Sequence, residues 1–160
     1  VIDEDLHRYV NTLEREHGGY LYGRRMYELM QAYWPTADTQ SDQAVEVEFS
    51  KIWKGIPKTV FSSTLERVEG NARLVKTDAV EEVKRLKAEP GKDLEVGGAI
   101  LAAALMRAGL VDEYRIFVQP VILGAGRSMF PQMAESTSLR LVETHAFGSG
   151  VVYLRYERAV

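Results

Sequence analysis

Two arginines follow a glycine at a point where a short apolar strand is expected to give way to a helix. The sequence Tyr22-Gly23-Arg24-Arg25 places both guanidinium groups in the first turn of that helix. A helix N-terminus favours anions through its free N–H groups and its dipole, and arginine recognises phosphate through paired hydrogen bonds. Two cations in a first turn oppose the dipole unless an anion lies between them. The pattern indicates an anion site, and two solvated arginines on an exposed turn are the alternative.

A pair of glycines lies at a second strand-to-helix junction. Gly97 and Gly98 follow Glu95-Val96 and precede Ala99 and Ile100. Glycine lets the backbone approach a ligand closely and adopts positive φ without strain, and the following helix offers its N–H groups to a phosphate. The sequence has no G-x-G-x-x-G fingerprint of dinucleotide-binding domains. A tight turn without a ligand is therefore the alternative interpretation.

Three hydroxyl side chains follow another predicted strand. Ser62, Ser63 and Thr64 could bind a phosphate or a ribose, or they could cap the next element. All three candidate segments come after strands, and ligands of open α/β sheets bind beyond the carboxyl ends of strands. Together they indicate a phosphorylated ligand with two or three separated anionic groups, such as a dinucleotide.

Several other kinds of chemistry are excluded or disfavoured by the residues present. The chain has no cysteine, which excludes disulfides, thiolate metal sites and thiol nucleophiles. His7, His17 and His145 lack the spacing of metal ligands, so we expect surface histidines and no metal site. Walker A and G-x-S-x-G sequences are absent. A net charge of −3 argues against nucleic-acid binding, and the longest apolar run, residues 99–106, is too short for a membrane span of about 20 residues.

The elements that must position these residues alternate along the chain. Helical spacing of apolar residues and strand-type runs predict, in order, helix 6–13, strand 20–22, helix 26–33, a loop over 36–42, helix 45–53, strands 58–62 and 72–76, helix 80–86, strand 93–96, helix 99–108 and strand 113–123, and then two antiparallel strands, 139–145 and 151–158. This order predicts an α/β fold in which helices cover a largely parallel sheet. The C-terminal hairpin is expected to add antiparallel edges and give one mixed sheet.

Four segments in this order resemble the dihydrofolate reductase-like family. They are residues 22–28, 58–63, 93–98 and 110–124, of which the last is the most specific. The chain is most similar to the branch built on the C-terminal reductase domain of the bifunctional riboflavin biosynthesis deaminase-reductase. The resemblance implies a single three-layer α/β/α domain over residues 1–160 that binds NADPH and a small heterocyclic substrate. It also implies a cytoplasmic homodimer with no membrane or nucleic-acid partner.

The resemblance also assigns the cofactor contacts to residues of this chain. They are Gly23, Arg24 and Arg25 for the cofactor phosphates, Ser62, Ser63 and Thr64 near the ribose 2′-phosphate, and Gly97, Gly98, Ala99 and Ile100 for the pyrophosphate. These are the positions at which the residue types alone indicate anions.

Two departures from the family pattern limit what the resemblance implies. The residue before the diglycine is usually Glu in riboflavin reductases, but here it is Val96, and Glu95 is expected on the opposite face of the strand. The family also begins with a strand in the middle of the sheet, and the resemblance places residue 1 after that strand, so no catalytic acid is assigned. We therefore expect an NADPH-dependent reductase of a pteridine- or pyrimidine-like heterocycle. A non-catalytic nucleotide-binding or sensing protein is the alternative.

Overall fold

Helices and strands are interspersed through the first two thirds of the chain, and the last third contains strands but no helix in the range described. The computed structural model describes residues 3–159. Within that range the helices are α1 (Glu4–Glu14), α2 (Arg24–Gln31), α3 (Trp34–Gln40), α4 (Ala44–Gly55), α5 (Ala79–Ala88) and α6 (Ala99–Arg107). The strands are β1 (Gly19–Gly23), β2 (Lys58–Phe61), β3 (Ala72–Val75), β4 (Leu94–Gly97), β5 (Glu113–Val118), β6 (Leu139–Ala146) and β7 (Val152–Arg158). In the part of the chain described, no helix has the length and apolar content needed to cross a bilayer.

The first four strands form a parallel sheet with helices on both faces. The strand order is β3-β2-β1-β4. Because successive strand residues point to opposite faces, Tyr20 and Tyr22 of β1 pack in a cluster with Trp53 of α4. Leu21, between them, packs on the other face with Leu105 of α6. The α/β class and the three layers are therefore as predicted.

The last three strands form an antiparallel sheet in the order β5-β7-β6, which includes the predicted C-terminal hairpin of β6 and β7. This sheet packs against α1 through a small buried cluster, Leu6, Phe147, Val151 and Tyr153. Helix α1 also contacts the core of the parallel sheet through Val10. Helix α1 therefore joins the two sheets.

The strands form two sheets, whereas the sequence predicted one mixed sheet. Strands β4 and β5 are both edge strands, since among residues 3–159 each pairs on one side only. A backbone ladder continues only where a neighbouring strand offers N–H and C=O groups, so the ladder is interrupted here. A cavity of about 1280 Å³ is lined by residues of β1, β4 and β5 and of α5 and α6.

Two predicted boundaries differ from the structure, and both differences involve proline. The segment 36–42 was predicted to be a loop, but α3 spans most of it with Pro35 in its first turn, where the missing N–H costs nothing. The strand predicted over 113–123 ends at Val118, and residues 119–138 form neither helix nor strand. Pro120 has no N–H to donate to a ladder, which accounts for the early end.

Candidate functional site

Three strand ends lie side by side at the carboxyl edge of the parallel sheet. Strand β1 lies between β2 and β4, and its register pairs Gly23 with Phe61 and Tyr22 with Gly97. The three candidate segments begin at or directly after these residues. The structure therefore places them at the edge where open α/β sheets bind ligands.

The N-terminus of α2 carries the two arginines. Gly23 is the N-cap residue and supplies no side-chain hydrogen bond, and the first turn has no acidic residue. Arg24 pairs with Glu28 on its own helix, with Nε 2.7 Å from Oε1, and its Nη1 donates to Thr64 Oγ1 at 3.0 Å. Arg25 is exposed and makes no hydrogen bond or ion pair with any residue of the described range. The turn that carries Arg24 and the segment Ser62-Ser63-Thr64, which we call the hydroxyl segment, are therefore in direct contact.

The hydroxyl segment is organised by Ser62. Its Oγ accepts hydrogen bonds from the backbone N–H groups of Thr64 and Leu65, at 3.2 and 3.1 Å. Ser62 thus stabilises the turn, which is the capping role that the sequence left open. Ser63 and Thr64 are exposed at the same strand end, and of the three residues these two present the more accessible hydroxyls.

Both positions of the diglycine favour glycine, for different reasons. A Cβ at Gly97 would lie 3.1 Å from Tyr22 Cε1 and 3.2 Å from Met26 Cγ. Gly98 has φ +98°, a conformation that residues with side chains rarely adopt. It is also the N-cap of α6 and provides no side-chain hydrogen bond, so the N–H groups of Ala99 and Ile100 are not capped by it. A second helix N-terminus without a cap therefore lies beside that of α2.

A buried charged group that the sequence did not predict lies on the α1 face of the sheet. We call Glu14, His17 and Glu95 the EHE cluster. His17 Nδ1 lies 2.9 Å from Glu95 Oε2 and 3.5 Å from Glu14 Oε2. His17 is 9% exposed, so the expectation of a surface residue is wrong for it, whereas His145 is exposed.

The register of β4 explains the position of Glu95. Glu95 pairs with Tyr20, so its side chain faces α1, whereas Val96 packs on the α5 and α6 face. This confirms the prediction that Glu95 and Val96 lie on opposite faces. The i, i+3 spacing of Glu14 and His17 could have suggested that their side chains meet at the end of α1, but only the strand register brings Glu95 to them.

Burial and mutual contact shift the pKa values in the EHE cluster. Burial raises the pKa of Glu95, and contact with His17 only partly opposes that shift. Burial alone would lower the pKa of His17, but the two carboxylates outweigh it and raise the pKa to about 9. Burial raises the pKa of Glu14, but the contact with His17 and the hydrogen bond from Tyr20 outweigh that effect and lower it. The Tyr20 hydroxyl donates to Glu14 Oε2 at 2.5 Å.

Comparison with known proteins identifies relatives of this chain. Residues 1–153 match the family model of the RibD C-terminal domain. The uncharacterized protein YyaP of Bacillus subtilis (strain 168) is 37% identical over 137 residues, which are 85% of this chain and 71% of that protein.

Solved structures show the same fold at low sequence identity. A putative riboflavin biosynthesis protein from Shewanella sp. PV-4 superposes with a TM-score of 0.74 at 21% identity, over 99% of this chain and 81% of that one. Dihydrofolate reductase from Enterococcus faecalis, solved with NADP(H) and RAB-propyl, superposes with a TM-score of 0.61 at 16% identity, over 96% of this chain and 82% of that one. The fold is that of the dihydrofolate reductase-like proteins, and the chain belongs to the RibD C-terminal domain family.

Proposed function

We propose that the protein is an NADPH-dependent reductase that transfers hydride to a small pteridine- or pyrimidine-like heterocycle. Family membership supports a reductase role. The observation that carries the NADPH proposal is the pair of helix N-termini without side-chain caps, those of α2 and α6, at neighbouring strand ends. Such N-termini favour phosphates, and a dinucleotide has phosphates at separate positions.

The residues present at this edge fit the proposed cofactor. Gly97 lets the backbone pack closely against Tyr22 and Met26, and Gly98 adopts a backbone conformation suited to glycine. These residues and the first turn of α6 would hold the pyrophosphate, and Arg25 would add charge to a chain that has no general excess of basic residues. The bound nicotinamide supplies the hydride, and the protein positions cofactor and substrate.

Arg24 is our candidate for the 2′-phosphate that distinguishes NADPH from NADH. Its guanidinium already contacts Thr64 in the segment predicted to lie near that phosphate. A lost hydrogen bond to a charged group costs about 1.5–3 kcal/mol, so we expect Arg24→Ala to weaken NADPH binding by roughly ten- to a hundredfold and NADH binding far less.

Calorimetric titration of both cofactors into wild type and Arg24→Ala measures this difference. Arg140→Ala is the matched control, because Arg140 lies on β6 in the other sheet and pairs with Glu157. Equal losses for NADPH and NADH would remove Arg24 from the 2′-phosphate site.

A non-catalytic nucleotide-binding or sensing role is the second candidate. Val96, in place of the usual Glu before the diglycine, favours it. NADPH oxidation followed by absorbance, with pterin, folate and aminopyrimidine substrates, separates the two roles. Turnover of any of them supports the reductase, and tight NADPH binding without turnover supports the sensor. Failure to bind NADPH at all would overturn both.

A further inference from the structure

The EHE cluster has the donor atoms of a transition-metal site. His17 offers an imidazole nitrogen, and Glu14 and Glu95 each offer a carboxylate oxygen, with all three atoms within 4.8 Å of one another. We propose that Glu14, His17 and Glu95 bind one zinc ion. The proposal is independent of NADPH binding and of the reductase function.

The separations between the donor atoms agree with zinc geometry. Tetrahedral zinc with bonds of about 2.0–2.2 Å holds neighbouring donor atoms about 3.3 Å apart. The two measured distances from His17 Nδ1, 2.9 Å to Glu95 and 3.5 Å to Glu14, lie on either side of that value. Small side-chain rotations would therefore place all three atoms around one ion.

Two buried atoms in the cluster lack the hydrogen bonds that burial normally requires. The side chain of His17 is 8% exposed, and its Nδ1 is buried without a hydrogen bond. Glu95 Oε2 is also buried without a hydrogen bond, although it lies 2.9 Å from Nδ1, close enough for an ion pair when His17 is protonated. Buried polar atoms without partners are costly. A metal ion would serve as the partner of both.

Charge and orientation also favour a cation. Two carboxylates outnumber one imidazole, so even with a protonated His17 the EHE cluster has an excess of negative charge. The Tyr20 hydroxyl holds one of these carboxylates through its hydrogen bond to Glu14 Oε2. Such outer hydrogen bonds orient metal ligands. An imidazole with two carboxylates suits Zn²⁺ better than Mg²⁺ or Ca²⁺, which prefer all-oxygen ligand sets.

The three side chains share one side of the sheet. All three residues line the cavity between the two sheets. Zinc sites with three protein ligands take a water or a substrate oxygen as the fourth ligand. Glu95 lies in β4 two residues before the diglycine and faces α1, so the proposed ion would lie away from the first turn of α6.

Calorimetric titration of metal-free, tag-free protein with ZnCl₂ tests the proposal. We expect one ion per chain, with binding greatly weakened in His17→Gln and Glu95→Gln. His145→Gln is the matched control, because His145 is an exposed histidine outside the EHE cluster, and it should bind zinc as wild type does. Tyr20→Phe should weaken binding by roughly 10–100-fold, as loss of an outer hydrogen bond does.

X-ray absorption of the wild-type zinc complex provides a test that does not depend on the folding of a variant. The EHE cluster contains one histidine, so the expected coordination is one imidazole with oxygen donors. Two or more imidazoles would place the ion elsewhere. The proposal is also overturned if wild type binds no stoichiometric zinc, or if folded Glu95→Gln binds it as tightly as wild type.

Discussion

At the scale of single residues, Lys58 is a charged group inside the core. It begins β2, is 3% exposed, and donates to the backbone carbonyl of Trp53. Its Nζ also lies 3.7 Å from the centroid of the Trp53 ring, which gives the ammonium a cation–π contact. Burial lowers the pKa of Lys58 to about 8, so at neutral pH the protein keeps a charge in its core at a cost in stability.

This pKa predicts how stability depends on pH. The pKa is about 8 in the folded protein and 10.5 in the unfolded chain. Between these values the unfolded chain binds more protons, so the free energy of unfolding should rise with pH. Relative to Lys58→Met, we expect wild type to gain about 1–3 kcal/mol from pH 8 to pH 10.5.

Urea unfolding of both proteins across this pH range measures the gain. The comparison with Lys58→Met removes the contribution of other titrating groups. A difference between the two proteins that does not change with pH would show that Lys58 titrates normally in the fold.

At the scale of elements, the helix N-termini divide into two kinds. Helix α5 has a side-chain cap, because Asp78 accepts from the N–H groups of Val80 and Glu81 at 2.8 and 3.2 Å. Helices α2 and α6 begin at Gly23 and Gly98 and have no side-chain cap. Helices α3 and α4 also begin without a side-chain cap, so what distinguishes α2 and α6 is that their uncapped N-termini follow neighbouring strand ends at the candidate cofactor edge.

Adding a side-chain cap to α2 should raise the stability of the protein and weaken its binding of NADPH. Nothing lies within 4 Å of a Cβ at Gly23, so Gly23→Asp should fit. The carboxylate would cap the helix, face two arginines and stabilise the protein by about 0.5–1 kcal/mol. It would also occupy the position proposed for a cofactor phosphate, so NADPH binding should weaken.

Thermal unfolding and NADPH titration measure the two effects. Asp78→Ala on α5 is the comparison, since it should cost about 0.5–2 kcal/mol of stability and leave NADPH affinity unchanged. Unchanged NADPH affinity in Gly23→Asp would show that the α2 N-terminus does not bind the cofactor.

At the scale of the whole molecule, large apolar side chains remain exposed in the segment after β5. They are Val121 (61% exposed), Ile122 (96%), Leu123 (80%), Met129 (45%) and Phe130 (46%). Exposed apolar side chains grouped in one segment are a feature of protein interfaces. We propose that this segment forms the interface of the homodimer that the family resemblance predicts.

Light scattering after size exclusion tests this interface. Wild type should elute as a dimer, and the double variant Ile122→Ser with Leu123→Ser should be a monomer. Leu29→Ser is the control, because Leu29 is 68% exposed but lies on α2, and it should remain a dimer. A double variant that stays dimeric would place the interface elsewhere.

The sequence by itself predicted the helices other than α3, the strands apart from the early end of β5, the layers and the candidate cofactor edge, because glycine turns, caps and apolar periodicity are local and strand ends in a parallel sheet meet at one edge. It also placed Glu95 and Val96 on opposite faces. Only the tertiary structure decided that the strands form two sheets and that His17 is buried between Glu14 and Glu95. The reason is physical: strand register sets which distant residues meet, and spacing along one chain segment does not contain that information.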